Sequence, residues 1–96
     1  MEIIVSSRDE NIKTGIKLHA EERAQEISTM YEKLTTCRVV LNKEKHEDTA
    51  EFILHGKNID IEAKATGRSV YEAIDLAASK LEKQLTKFLS KLHEHR

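Results

Sequence analysis

Between Val70 and Leu92 the apolar residues Val70, Ile74, Ala77, Leu81, Leu85, Phe88 and Leu92 recur in steps of four, three, four, four, three and four. That rhythm places every one of them on a single stripe of a 3.6-residue helix. A helix with so long a stripe has to lay it on another apolar surface, and the rest of the chain must supply that surface. Ser69 stands at the N-cap, with Glu72 three residues on in the position of a capping box. Lys80, Lys83, Lys87 and Lys91 repeat at the same rhythm, offset around the cylinder, as a second row pointing away from the core. Glu82 is the acid within the row and Glu94 lies beyond it, so the row lacks the i,i+4 partners that neutralise an ordinary surface helix.

The partner surface is read upstream. Residues 2–6 form a short β-type run with Ile3 and Val5 on one face, followed by a polar loop, Ser6 to Glu10. From about Asn11 to Leu34 the pattern is helical, with Ile16, Ala20, Ala24, Ile27, Tyr31 and Leu34 three or four apart. Asn11 is the expected N-cap, and Gly15 costs this helix about 1 kcal/mol against alanine. The period then falls to two. Cys37, Val39 and Leu41 alternate with Arg38, Val40 and Asn42; after a charged connection over 43–48, Ala50, Phe52 and Leu54 alternate with Glu51, Ile53 and His55. Gly56-Lys57-Asn58 is a turn, and Ile59, Ile61, Ala63 and Ala65 alternate with Asp60, Glu62, Lys64 and Thr66 before Gly67 and Arg68 turn the chain again. The order is β-α-β-β-β-α: an α+β two-layer sandwich in which a four-stranded sheet is covered on one face by two helices. Its last three strands form an antiparallel meander. The opposite face carries Arg38, Asn42, Glu51, His55, Asp60, Glu62 and Lys64 and is expected to meet solvent.

The 96 residues are read as one domain, 1–96, with no proline and no Ser/Gly-rich stretch to serve as a linker. No apolar run is long enough to cross a bilayer, the N-terminus lacks the form of a signal peptide, and the one cysteine, Cys37, cannot form an internal disulfide. The expected setting is cytoplasmic. Net charge is −1, yet residues 1–79 carry −4 and residues 80–96 carry +3. Such asymmetry is what a localised anion-binding face leaves in a sequence. Helix-dipole preference accounts for one turn of cations, not for a row longer than ten residues. Lysines on a rigid rod suit the repeating phosphates of a nucleic acid, position a protein on a backbone and read no bases, which points to RNA recognised by shape.

Other chemistry finds little support in the residues. The five histidines have no zinc-type spacing, so no metal and no cofactor are expected. Cys37 sits on the inward set of a strand without a catalytic partner, and nothing resembles a phosphate-cradling loop, a nucleophile elbow or a paired-carboxylate site. Tyr71 reads as packing at the core edge. No enzyme is expected, and no small-molecule substrate.

Ser69-Val-Tyr-Glu-Ala-Ile-Asp75 resembles an Asp-Met-Tyr-x-Ala-Ile-Asp segment, and Lys80-Leu-Glu-Lys-Gln-Leu-Thr-Lys87 resembles Lys-Leu-x-Arg-Gln-Leu/Ile-x-Lys, both of the bacterial ribosome hibernation-promoting factors, a family that includes protein Y. Val39-Val-Leu41 with Glu44-Lys45 is similar to that family's second strand and outgoing turn, and the element order is the family's own. The resemblance implies a factor of stress or stationary phase that binds the small ribosomal subunit and its rRNA. It would lie in the channel of messenger and transfer RNA and block translation without performing chemistry. It also implies RNA-binding roles for Arg8, Lys17, Arg23, Lys45, Lys80, Lys83, Lys87 and Lys91. The chain departs from the family at Leu89, where a further basic residue is common, and at Glu22 and Glu26, where lysines are; these acids repel a phosphate backbone. With the sequence stopping soon after Leu92, the short form is the better match, and it implies a separate ribosome modulation factor as partner in pairing ribosomes. A different reading of the residues is a protein-interaction module that dimerises or docks a partner through Phe88, Leu89 and Leu92.

Overall fold

The computed structural model describes residues 1–8 and 12–94, with the elements β1 (Glu2–Ser7), α1 (Thr14–Ser28), β2 (Leu34–Glu44), β3 (Glu47–Gly56), β4 (Ile59–Gly67) and α2 (Val70–Glu94). The sheet order is β1-β2-β3-β4. β2, β3 and β4 form the expected antiparallel meander, while β1 joins the edge of β2 in parallel, Ile3 opposite Cys37 and Val5 opposite Val39. A parallel neighbour requires a crossover, and α1 is that crossover.

Both helices lie on one face. Ala20, Ala24 and Ile27 of α1, and Ala73, Ile74, Ala77, Ala78, Leu81 and Leu85 of α2, are buried against Cys37, Val39, Leu41, Ala50, Phe52, Leu54, Ala63 and Ala65 of the sheet. Burial pushes the Cys37 thiol up to about 11, because the thiolate would lose its hydration there. Small residues dominate the helix side of this core, so helix backbones approach the sheet closely while Phe52 and the leucines fill the space between.

The sequence reading needs correction at α1 and at the first hairpin. α1 ends at Ser28, not Leu34. The Ser28 hydroxyl donates to the Gln25 carbonyl and Thr29 Oγ1 to the Glu26 carbonyl at 2.6 Å, while the Thr29 and Met30 amides bond back to Glu26 and Ile27. These bonds satisfy the last carbonyls and release the chain. Tyr31 is therefore in the connection and Leu34 opens β2. At the other end Lys13 is the N-cap and makes no side-chain capping bond; Asn11 lies outside the described residues. The charged connection 43–48 is also shorter than expected: β2 and β3 run to Glu44 and from Glu47, joined by Lys45 and His46 alone. Lys45 has φ 55°, the left-handed conformation that such a tight hairpin demands.

Gly15, a poor helix residue, has a packing reason. A Cβ there would stand 3.0 Å from the Tyr71 hydroxyl, so its absence lets the start of α1 approach α2. Tyr71 also meets His19 edge-on, with ring centroids 5.3 Å apart.

Candidate nucleic-acid interface

α2 begins with the cap the sequence specifies. Ser69 Oγ accepts the Glu72 amide at 3.1 Å, and the Glu72 carboxylate returns to the Arg68 amide, also at 3.1 Å. From this anchored start the helix continues for 25 residues, roughly 37 Å at 1.5 Å per residue. Its buried stripe faces the sheet and leaves two flanks of opposite character.

One flank faces α1 and is a seam of paired charges. Arg23 spreads over it: Nη2 lies 3.0 Å from Glu82 Oε1, Nε 3.4 Å from Asp75 Oδ1, and Nη1 3.5 Å from Glu26 Oε2. Ser79 Oγ accepts from the same guanidinium at 3.4 Å, and His19 Nε2 lies 2.7 Å from Asp75 Oδ1. The Arg23 side chain retains only 19% of its exposure, so its charge is spent on protein acids.

The other flank carries the lysines. Lys80, Lys83, Lys87 and Lys91 are all exposed, and among the described residues none of the ion pairs involves them. Glu82, the acid nearest in sequence, is drawn to Arg23 on the opposite flank and leaves the row uncompensated. Lys80 differs from its neighbours: its ammonium donates to the Lys64 carbonyl at 3.0 Å, and Gln84 Nε2 donates to the Glu62 carbonyl at 3.0 Å. These side chains reach over the outer edge of β4. Lys83, Lys87 and Lys91 continue the row about one turn of 5.4 Å apart.

The remaining basic positions are dispersed. Lys45 is at the tip of the β2–β3 hairpin, and Arg8 leaves β1 with its amide bonded to the Leu41 carbonyl at 3.0 Å. Lys17 is exposed on α1, about 120° around that helix from Arg23 and so on the flank turned from α2. Glu22 is exposed, and Glu26 is engaged with Arg23. Near the end of α2 the half-buried Phe88 and Leu89 and the exposed Leu92 border an open depression of ≈ 640 Å³ with Met30, Tyr31, Lys33 and Lys57. Sequence reasoning singled out the α2 residues there but missed Lys33 and Lys57, which adjoin only because two distant turns meet. Among the described residues no cluster of His, Cys, Asp and Glu could hold a metal ion, and no helix is long and apolar enough to cross a membrane.

Fold and charge together define a small α+β protein that presents, along one flank of its longer helix, cations without an ion-pair partner among the described residues. Beyond that class, the chain belongs to the family described as Sigma 54 modulation protein / S30EA ribosomal protein, whose model matches residues 3–93. It is 28% identical over 95 residues to a ribosome hibernation promoting factor of Escherichia coli K12, covering 99% of this chain and 100% of that one. It is also 28% identical over 91 residues to that of Azotobacter vinelandii, covering 95% and 85%. A ribosomal subunit interface protein from Coxiella burnetii has the same fold, with TM-score 0.86, 20% identity, and coverage of 94% of this chain and 99% of that one. So does the N-terminal domain of Thermus thermophilus Protein Y, with TM-score 0.81, 22% identity, and coverage of 92% and 99%.

Proposed function

We propose that this protein is a ribosome hibernation factor that binds the small ribosomal subunit through rRNA phosphates. The observation that carries the reading is the lysine flank of α2, exposed and, among the described residues, without an ion-pair partner, its nearest acid in sequence being committed to Arg23. Family membership supplies the kind of partner. Residues 1–96 act as one ribosome-binding domain. Lys83, Lys87 and Lys91 hold the backbone most directly, Lys80 joins them by releasing its carbonyl partner, and Arg8, Lys17 and Lys45 make outlying contacts. Arg23 serves by holding α1 to α2 rather than by meeting a phosphate. The protein lies in the channel of messenger and transfer RNA and inhibits translation by occlusion during stress or stationary phase. It works in the cytoplasm without cofactor or chemistry, and promotes ribosome pairing alongside a separate modulation factor.

Co-sedimentation of the purified protein with bacterial ribosomes, repeated over a salt series, tests this reading. Four lysine–phosphate contacts give a log–log salt slope of roughly −3 to −4, or about a hundredfold loss of affinity between 50 and 200 mM salt. Migration with the small subunit, weakening at that slope, is the expected result. A protein that stays at the top of the gradient at low salt removes the proposal.

A further inference from the structure

The depression at the far end of the lysine flank has a construction of its own. The Lys57 amide donates to the Lys33 carbonyl at 3.0 Å, tying the β3–β4 turn to the connection between α1 and β2. Gly56 makes this possible, because a Cβ there would stand 2.6 Å from the Lys33 carbonyl. Asn58, at φ 60°, closes the turn. Two lysines are thereby held on adjoining backbone at the rim, and among the described residues neither has an ion-pair partner. The wall is apolar: Tyr31 stands edge-on to Phe88, centroids 5.9 Å apart, and Leu92 is 43% exposed beside them. Glu32 is the one acid among the lining residues.

Aromatic wall and cationic rim together select a ligand with a flat apolar part and an adjacent negative charge. An aliphatic peptide would use the wall and leave the lysines idle. A duplex keeps its bases stacked and offers base edges, 2′-hydroxyls and phosphates but no free base face. An unpaired nucleotide offers both parts. The volume, ≈ 640 Å³, falls within the usual range of about 300–1,000 Å³ for small-ligand sites. Position agrees as well: Phe88 and Leu92, which border the depression, lie at the same level of α2 as Lys87 and Lys91, about 100° around the helix from them.

We infer that this depression is a nucleobase site, which takes an unstacked base of single-stranded RNA against Tyr31 and Phe88 with its flanking phosphates on Lys33 and Lys57. The inference rests on the RNA-binding reading above and adds a preference for unpaired RNA that phosphate contacts alone do not give.

The test is amide NMR of the full chain at low salt, titrated with a single-stranded oligoribonucleotide of about six nucleotides and separately with a duplex of the same sequence. The single strand should move the amides of Tyr31, Lys57 and Phe88 to saturation, whereas the duplex should move only the α2 lysine flank. Lys33→Glu with Lys57→Glu, or Tyr31→Ala, should weaken the single strand about tenfold and leave the duplex unchanged; the same spectra verify that each variant is folded. Shifts confined to 80–91, and indifferent to these substitutions, would overturn the base site while leaving the ribosome reading intact. If an apolar peptide, and not RNA, moves the Tyr31 and Phe88 amides, the site is a protein dock and the inference is wrong. No shift with either RNA also overturns it, and co-sedimentation of the same sample with small subunits then shows whether the proposed function falls too.

Discussion

The two flanks of α2 share one backbone and one cap, yet the structure treats their charges in opposite ways. On the α1 side, Arg23 closes on the carboxylates of Asp75 and Glu82, and the His19 ring bonds the same Asp75 oxygen. On the β4 side, four lysines have no ion-pair partner among the described residues. Both flanks carry charged side chains at helical spacing, acids seven residues apart on one and lysines three or four apart on the other. What differs is whether a second element delivers a counter-charge, and α1 does so on one side only. A charged row on a helix is thus informative only once its neighbours are known: the same Glu82 that would have quenched the lysines strengthens their isolation by turning the other way.

The largest expected effect comes from inverting the open flank. Lys83→Glu, Lys87→Glu and Lys91→Glu together should weaken small-subunit binding by more than about a hundredfold at moderate salt, judged from the three lost phosphate contacts. All three positions are exposed, so the circular dichroism spectrum should be unchanged; ribosome binding retained at moderate salt would show that the open flank is not the interface. Breaking the closed flank should do the reverse. Arg23→Met leaves Asp75 and Glu82 without their shared partner and should cost about 1–2 kcal/mol in urea denaturation, discounted from the value of a fully buried pair for partial exposure. Ribosome affinity should stay within about threefold, and a larger loss would place Arg23 at the RNA. Ser69→Ala removes the cap common to both flanks and should cost about 1 kcal/mol, read in the same denaturation assay. The smallest change is Lys45→Gly. Relief of the left-handed backbone should gain about 0.5–1 kcal/mol of stability, while loss of an outlying cation should reduce ribosome affinity only a few-fold. Equal affinity would remove Lys45 from the contact.

Much of this architecture is legible in local pattern. α2, its capping bonds and the three-strand meander follow from periods of 3.6 and two, which concern neighbours a few residues apart. What escapes is set by contacts across the chain. Tyr31 and Leu34 continue the α1 period by coincidence, and the hydroxyls of Ser28 and Thr29 end the helix before them. Nothing within residues 2–6 specifies that β1 pairs in parallel with β2 at the sheet edge. The candidate site divides in the same way. The row from Lys80 to Lys91 is visible because it lies on one helix, and its exposure is as expected. The capture of Arg23, and the meeting of Lys33 with Lys57, depend on partners dozens of residues away. Gly15 carried a signal whose meaning only packing supplies: an apparent weakness in α1 is room for Tyr71.

The bonds from Lys80 and Gln84 to the carbonyls of Lys64 and Glu62 bear on how the protein behaves when crowded. An outer strand with bare acceptors is a template on which another chain can extend a sheet, and it becomes more dangerous as concentration rises. Here α2 drapes two long polar side chains over that strand, one of them charged. Solubility on this side of the molecule is therefore maintained by the helix rather than by the strand itself, and a substitution at Gln84 would show itself first as aggregation in concentrated solution.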